Sequence, residues 1–352
     1  MHRLANLQAL RFFAASAVML YHAPHLYERA GGAIDLKPFV SAGFFGVDVF
    51  FVLSGFVMWL SAAGKSGGVD ALIFAFRRAM RVYLTFWIVF AAIFFYMQTW
   101  APSRLANVDL ARSFFLVPQS VRTNIHGISW SLSYELYFYL LVSLAIMLGG
   151  RRMLVITGAT AIAVMIAGRL GWSIPFRSVL TGSHLFEFLA GCLVAVAYER
   201  GLIGRPIVLL AIGLGILAAA MAFAAFWLPH PLEYGTQRDI RVAWLLPSAV
   251  CIVAGFVGLE RKLRLPQWTV TLGDASYGIY LWHPFVFIIW FDLVKPRDLS
   301  QTSLPLTLLA AIAAVLCLSL ATTIWIERPA LRRLKRRTIS PTVGTPTRAA
   351  VK

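Results

Sequence analysis

Acid is scarce in this sequence: 15 aspartates and glutamates stand against 32 lysines and arginines in 352 residues, and all charged residues together make up only 13%. A water-soluble chain of this length carries about twice that share of charge, so a large solvated surface is excluded. Cysteine is nearly missing. The three present, Cys192, Cys251 and Cys317, lie in apolar runs without CxxC spacing, which argues against a disulfide framework and against a metal centre. No repeat of fixed period and no long polar stretch interrupts the chain, which leaves no segment for a separate soluble domain.

What the sequence has in abundance is apolar length. Hydrophobic residues make up 59% of it and the mean hydropathy is +0.75. A helix needs roughly 20 apolar residues to cross a hydrocarbon core of about 30 Å. Ten stretches qualify, at 7–26, 42–62, 83–100, 128–148, 153–172, 181–199, 207–228, 242–259, 269–291 and 305–326. The expected fold is an all-α, polytopic transmembrane bundle of about ten spanning helices. One membrane domain would cover 1–330, followed by a basic tail at 331–352 whose end, with Ser340, Pro341, Thr345 and Pro346, has a disorder-prone composition. Arg11 and His22 in the first stretch, and nine stretches after it, argue that it is retained and not cleaved as a signal peptide.

The net charge of +17 would suit a nucleic-acid partner, but its distribution points to a membrane. Basic residues are denser in alternate loops: Arg77, Arg78 and Arg81; Arg151 and Arg152; Arg200 and Arg205; Arg261, Lys262 and Arg264; and the run from Arg328 onward. The positive-inside rule then places both termini in the cytoplasm of a multi-pass protein of the inner (plasma) membrane, with the tail against anionic lipid headgroups. The 101–127 segment becomes the longest outer loop and a candidate cover for an active-site mouth.

An ionisable side chain in a membrane core costs at least about 2.5 kcal/mol, so each one requires a partner or a function. Arg11 and His22 are separated by eleven residues, which leaves their side chains about 20° apart on one helix face and about 16 Å apart along it. His22 is a candidate base for a hydroxyl, or a covalent carrier of an acyl group; its structural alternative is a histidine satisfied by a neighbouring helix. Asp48, in a run rich in aromatics and small residues, needs a cation, and Arg11 is a candidate. Gly43, Gly46 and Gly55 permit close helix contact. Arg78 and Arg81 share a helix face and suit phosphate, although ordinary positive-inside charge also accounts for them. Glu135, in the Trp130–Glu135 run with Ser133, is placed to orient His22. Glu187 pairs with His184 three residues before it. Tyr277 and His283 fall in the ninth stretch, with His283 a weaker base candidate, and Pro329 is expected to end the tenth helix.

Together these segments resemble the integral-membrane acyltransferase family three, bacterial O-acyltransferases of surface glycans. The resemblance runs from about Leu7 to Pro329. It rests on Arg11 and His22 with ten residues between them, the Gly46–Phe56 run, Arg78 with Arg81, Trp130–Glu135, Ser276–His283 and Ile326–Pro329, in that order. It implies an acyl-coenzyme A donor, commonly acetyl-coenzyme A, used as substrate on the cytoplasmic side, and a glycan hydroxyl as acceptor on the other side. No bound cofactor is expected. It also implies that Arg11 and His22 are essential and that Arg78 and Arg81 lie near the donor. Two positions depart from the family pattern: Leu136 stands where many members have a second carboxylate, and His184 where relatives often carry arginine. A transporter or flippase for a lipid-linked glycan is the alternative that the intramembrane charges leave open.

Overall fold

The structure is a computed structural model that describes residues 4–227 and 238–337, apart from the single positions 261, 264, 298 and 301. Among the described residues it is all helical. The principal helices are α1 (Ala5–Arg29), α2 (Gly46–Ser61), α3 (Gly68–Trp100), α4 (Trp130–Leu148), α5 (Leu154–Arg169), α6 (His184–Glu199), α7 (Pro206–Trp227), α8 (Arg238–Gly258), α9 (Gln267–Asp274), α10 (Ser276–Val294), α11 (Ser303–Ala321) and α12 (Arg328–Arg337). Among the described residues, eight helices are long and apolar enough to cross a membrane. The other two expected spans fall outside that measure for physical reasons. Polar residues including Asn6, Gln8, Arg11 and His22 dilute α1, and α6 has only 16 residues.

Close backbone approach at glycine sets the centre of the bundle. A Cβ on Gly55 would overlap the Phe188 carbonyl, and one on Gly191 the Val52 carbonyl, so α2 and α6 lie almost backbone to backbone. Gly43 and Gly46 meet the Ala17 and Ala14 carbonyls of α1 in the same way. Small residues at these positions gain packing where lipid offers no hydrophobic drive for association, as the sequence led one to expect.

Contacts along the helices give their relative direction and depth. Gln8 meets Gly273 and His22 meets His283, so α1 runs parallel to α9 and α10. Tyr277 bonds to the Val82 carbonyl and Tyr96 to Asp292, so α3 runs the same way. Because Gly43, just ahead of α2, packs on Ala17 and Tyr21, α2 begins near the depth of His22 and does not reach the end of α1.

The 101–129 segment is more than an outer loop. Arg104 fixes one end to Asp292 near the top of α10 with two bonds of 2.9 Å. The segment then descends: the Trp87 indole donates to the Phe114 carbonyl at 3.1 Å, and the Tyr83 hydroxyl donates to the Phe115 carbonyl at 2.8 Å. At 1.5 Å per residue these positions lie about 20–25 Å down α3 from Trp100. Irregular backbone at such depth survives only where protein surrounds it or it lines a cavity.

Two expectations near the C-terminus change. Pro329 does not end the helix: a π-helical turn at Thr322–Glu327 leads directly into α12, and Pro329 falls in the first turn of α12, where a missing N–H is tolerated. The first part of the basic tail, through Arg337, is therefore helical, and residues 338–352 lie outside the described residues.

Candidate active site

The candidate residues form two groups, one lining a cavity and one a helical turn beyond its Tyr280 wall. Arg11, Arg78 and Arg81 line this cavity together with Glu135, Tyr139 and Tyr277, around a space of about 170 Å³, room for several waters. Two of the guanidiniums are held in place by neighbours. Arg11 donates to Gln8 Oε1 at 3.1 Å, and Arg78 donates to Ser61 Oγ and lies over the Phe74 ring at 5.7 Å. Glu135 accepts a hydrogen bond from Tyr139, one turn further along α4. Glu327, on the π-helical turn, faces Arg81 and Arg11, and Arg328 bonds Asp274 at 2.5 Å nearby. With Asp274 taken by Arg328, the three cavity arginines face Glu135 and Glu327, and their planar forks have the geometry that suits phosphate oxygens.

A polar pair, Tyr280 and Ser131, also lines the cavity. The Tyr280 hydroxyl stands 2.8 Å from Ser131 Oγ and donates to the Ile128 carbonyl at 3.0 Å, with Phe50 packed against the Tyr280 ring. One helical turn beyond Tyr280 lies His283, and its Nε2 is 3.3 Å from His22 Nδ1. His22 Nδ1 is also 2.8 Å from the Val18 carbonyl of its own helix. A carbonyl only accepts, so Nδ1 carries the proton and Nε2 keeps a lone pair. That is the form a general base needs.

Two expected partnerships change. Among the described contacts Glu135 is not behind His22; it stays with the arginines and Tyr139, and an imidazole takes that place. Asp48 pairs with Arg241 and not with Arg11. The Arg241 guanidinium reaches both oxygens, at 3.2 and 2.5 Å, donates to the Phe44 carbonyl and covers the Phe44 ring. Gly46, two residues before Asp48, packs on Ala14 and Val18 at the mid-depth of α1, while Arg11 lines the cavity.

Glu187 stands beside Asp48 and accepts from His184 at 2.8 Å, all three side chains being buried. Their ligand atoms lie within 4.8 Å of one another, the one set among the described residues with metal-ligand chemistry. Both Asp48 oxygens are engaged with Arg241 and Glu187 Oε2 with His184, so the cluster reads as a helix-joining ionic knot. Trp130 covers the His184 ring at 5.5 Å, and Ser133 donates to the Leu116 carbonyl, tying α4 to the descending segment. Tyr277 lines the cavity and donates to the Val82 carbonyl.

The sequence reading missed Arg241, Tyr280, Ser131 and His126. Arg241 had a signal: a buried aspartate requires a cation, and the start of α8 supplies one. His126, in the descending segment, is 2% exposed, bonds the Leu281 carbonyl and lies in electrostatic reach of His283. Burial pushes its imidazole down to about 4.

Residues 4–324 match the acyltransferase domain family known as acyltransferase 3. The chain is 29% identical to the exopolysaccharide production protein ExoZ of Rhizobium meliloti, over 94% of this chain and all of that protein. It is 27% identical to the acyltransferase MdmB of Streptomyces mycarofaciens, over 95% of this chain and 93% of that one. The O-acetyltransferase OatA of Staphylococcus aureus is 26% identical over 80% of this chain, which spans about half of OatA. No solved structure matches the chain. With eight described helices able to cross a membrane, an arginine-lined cavity and a histidine pair one turn beyond Tyr280, this multi-pass membrane protein belongs to the acyltransferase-3 family.

Proposed function

We propose that the protein transfers an acyl group, most simply acetyl, from acyl-coenzyme A bound on the cytoplasmic side to a hydroxyl of an extracytoplasmic glycan such as exopolysaccharide or lipopolysaccharide O-antigen. The observation that carries this reading is the placement of Arg11, Arg78 and Arg81 around one cavity, with Tyr280 on its wall one helical turn from His283, which meets His22. Coenzyme A brings several phosphates to the arginines, and its extended arm matches the roughly 16 Å that α1 sets between Arg11 and His22.

In the transfer, His22 Nε2 takes the proton of the acceptor hydroxyl as its oxygen attacks the thioester carbonyl. The C–S bond breaks, and the proton passes on to the departing thiolate. A placed base contributes about 10²–10⁴-fold to such a step. Arg11 and its neighbours hold the donor; Tyr280 and Phe50 must turn aside for the thioester to reach His22. Asp48, Arg241, Glu187 and His184 keep α2, α6 and α8 in register behind the site. The acceptor enters from the end where α2 stops short, beneath the descending segment. The match to ExoZ along its whole length supports an exopolysaccharide as the acceptor class.

The test uses purified protein in proteoliposomes, labelled acetyl-coenzyme A and polysaccharide from a strain lacking the protein. Label should appear on the polysaccharide as a base-labile ester, with free coenzyme A released in equal amount. Release of neither product overturns the reading.

A further inference from the structure

Three imidazoles come within electrostatic reach around His283, from three separate parts of the chain: His22 on α1, His283 on α10 and His126 on the descending segment. The His22 and His283 ring centroids are 5.0 Å apart, with planes inclined by 40°. The function proposed above uses only His22. His283 is fully buried in a helix that crosses the membrane, so its polar ring costs free energy unless it has a task.

Hydrogen bonding fixes the tautomers of the pair. His283 Nδ1 lies 3.1 Å from the Ile279 carbonyl, so the proton is on Nδ1 and a lone pair is on Nε2. That lone pair faces His22 Nδ1, whose proton is thereby shared between the Val18 carbonyl and His283. His126 completes the set: it bonds the Leu281 carbonyl, and its Nε2 has no partner among the described residues. The other titratable groups around the pair are Tyr21 on α1, edge-on to His22, and Tyr280 on α10. No carboxylate touches either imidazole among the described contacts.

We propose that His283 is the positioning partner of His22, accepting from its Nδ1–H so that Nε2 stays free for the acceptor hydroxyl and the imidazolium formed in transfer is stabilised. It takes the place that a carboxylate holds behind other catalytic imidazoles. A neutral partner stabilises the imidazolium less than an anion would, so His22 keeps a modest basicity in a site that must not trap a proton. His126 gives its own proton to the Leu281 carbonyl, which leaves no competing donor towards His283. This proposal rests on His22 acting as the base in acyl transfer.

The test compares His283→Leu, His283→Gln and His283→Asp with wild type and His22→Ala, using acetyl-coenzyme A and purified polysaccharide across pH 5–9. His283→Leu removes the acceptor and should lower kcat by about 10²-fold or more with KM for acetyl-coenzyme A unchanged. His283→Gln presents an acceptor oxygen and should recover most of that loss. An aspartate favours the imidazolium, so His283→Asp should move the acid limb of the kcat profile to higher pH by about one unit or more. Thermal unfolding of each variant separates misfolding from loss of function. If His283→Leu is folded and as active as wild type, or the His283→Asp limb stays in place, the proposal is wrong while acyl transfer stands. If His22→Ala matches wild type, the underlying function is what fails.

Discussion

Cutting the Asp48–Arg241 pair should unsettle the bundle more than any surface charge change. Asp48 is wholly buried and Arg241 is 7% exposed, and the pair carries two bonds to the carboxylate and one to the Phe44 carbonyl. Arg241→Leu leaves Asp48 and the adjacent Glu187 without a cation, and Asp48→Asn leaves the guanidinium without its anion. Removing one partner of a buried pair costs about 3–5 kcal/mol, and taking both away is far less damaging because no unpaired charge stays behind. For a domain of this size that is a fall of roughly 4–7 °C in unfolding midpoint for each single variant. The double variant Asp48→Asn with Arg241→Leu should recover at least half of the loss, a coupling of about 2 kcal/mol or more. Thermal unfolding in detergent at a fixed scan rate reads the difference. Two single variants that melt with wild type, or a double variant whose loss equals the sum of the singles, would refute the ionic knot.

Further outcomes follow from other parts of the molecule. Gly55→Val or Gly191→Val must push α2 and α6 apart against backbone, so little folded protein should reach the membrane in a fluorescence size-exclusion assay. Gly215→Ala meets open space and should be neutral or slightly stabilising. Arg78→Ala and Arg81→Ala should each raise KM for acetyl-coenzyme A about tenfold or more in a steady-state assay, and a lowered kcat at unchanged KM would count against a donor-binding role. His126 stays neutral in the folded protein down to about pH 4, whereas an unfolded histidine takes up a proton near 6.5. The unfolded chain therefore binds more protons between those values. Stability contributed at neutral pH should fall by about 3 kcal/mol as pH drops through this window. His126→Gln should flatten that part of the unfolding-midpoint curve, and an unchanged slope would place the acid sensitivity elsewhere.

The parts of the fold legible in the sequence were those governed by local pattern. Apolar length announced the helical passes, glycines in the second pass announced close contact, and the spacing of Arg11 and His22 put both on the inner face of α1. His184 and Glu187 are three residues apart and do touch. Long-range choices were not legible. Asp48 had several cations within reach of a guess, and the one it takes lies 193 residues away, at a helix start that resembled an outer loop. The departure at His184 makes sense only in the folded state, where Arg241 supplies a guanidinium beside Asp48 and Glu187. Likewise the composition of 101–129 reads as a loop, and only its bonds to Tyr83 and Trp87 reveal how deep it runs. Glu135 and His283 exchanged their expected places because helical spacing alone says which face a side chain occupies, not which neighbour it meets.

The central claim is that His22 activates a hydroxyl for acyl transfer to a surface glycan. The most direct measurement is the ester content of cell-surface polysaccharide, by proton NMR, in a deletion strain complemented with wild type or with His22→Ala at matched membrane abundance. The account predicts that wild type restores the O-acyl signal and that His22→Ala leaves it absent. Equal restoration by both would contradict it.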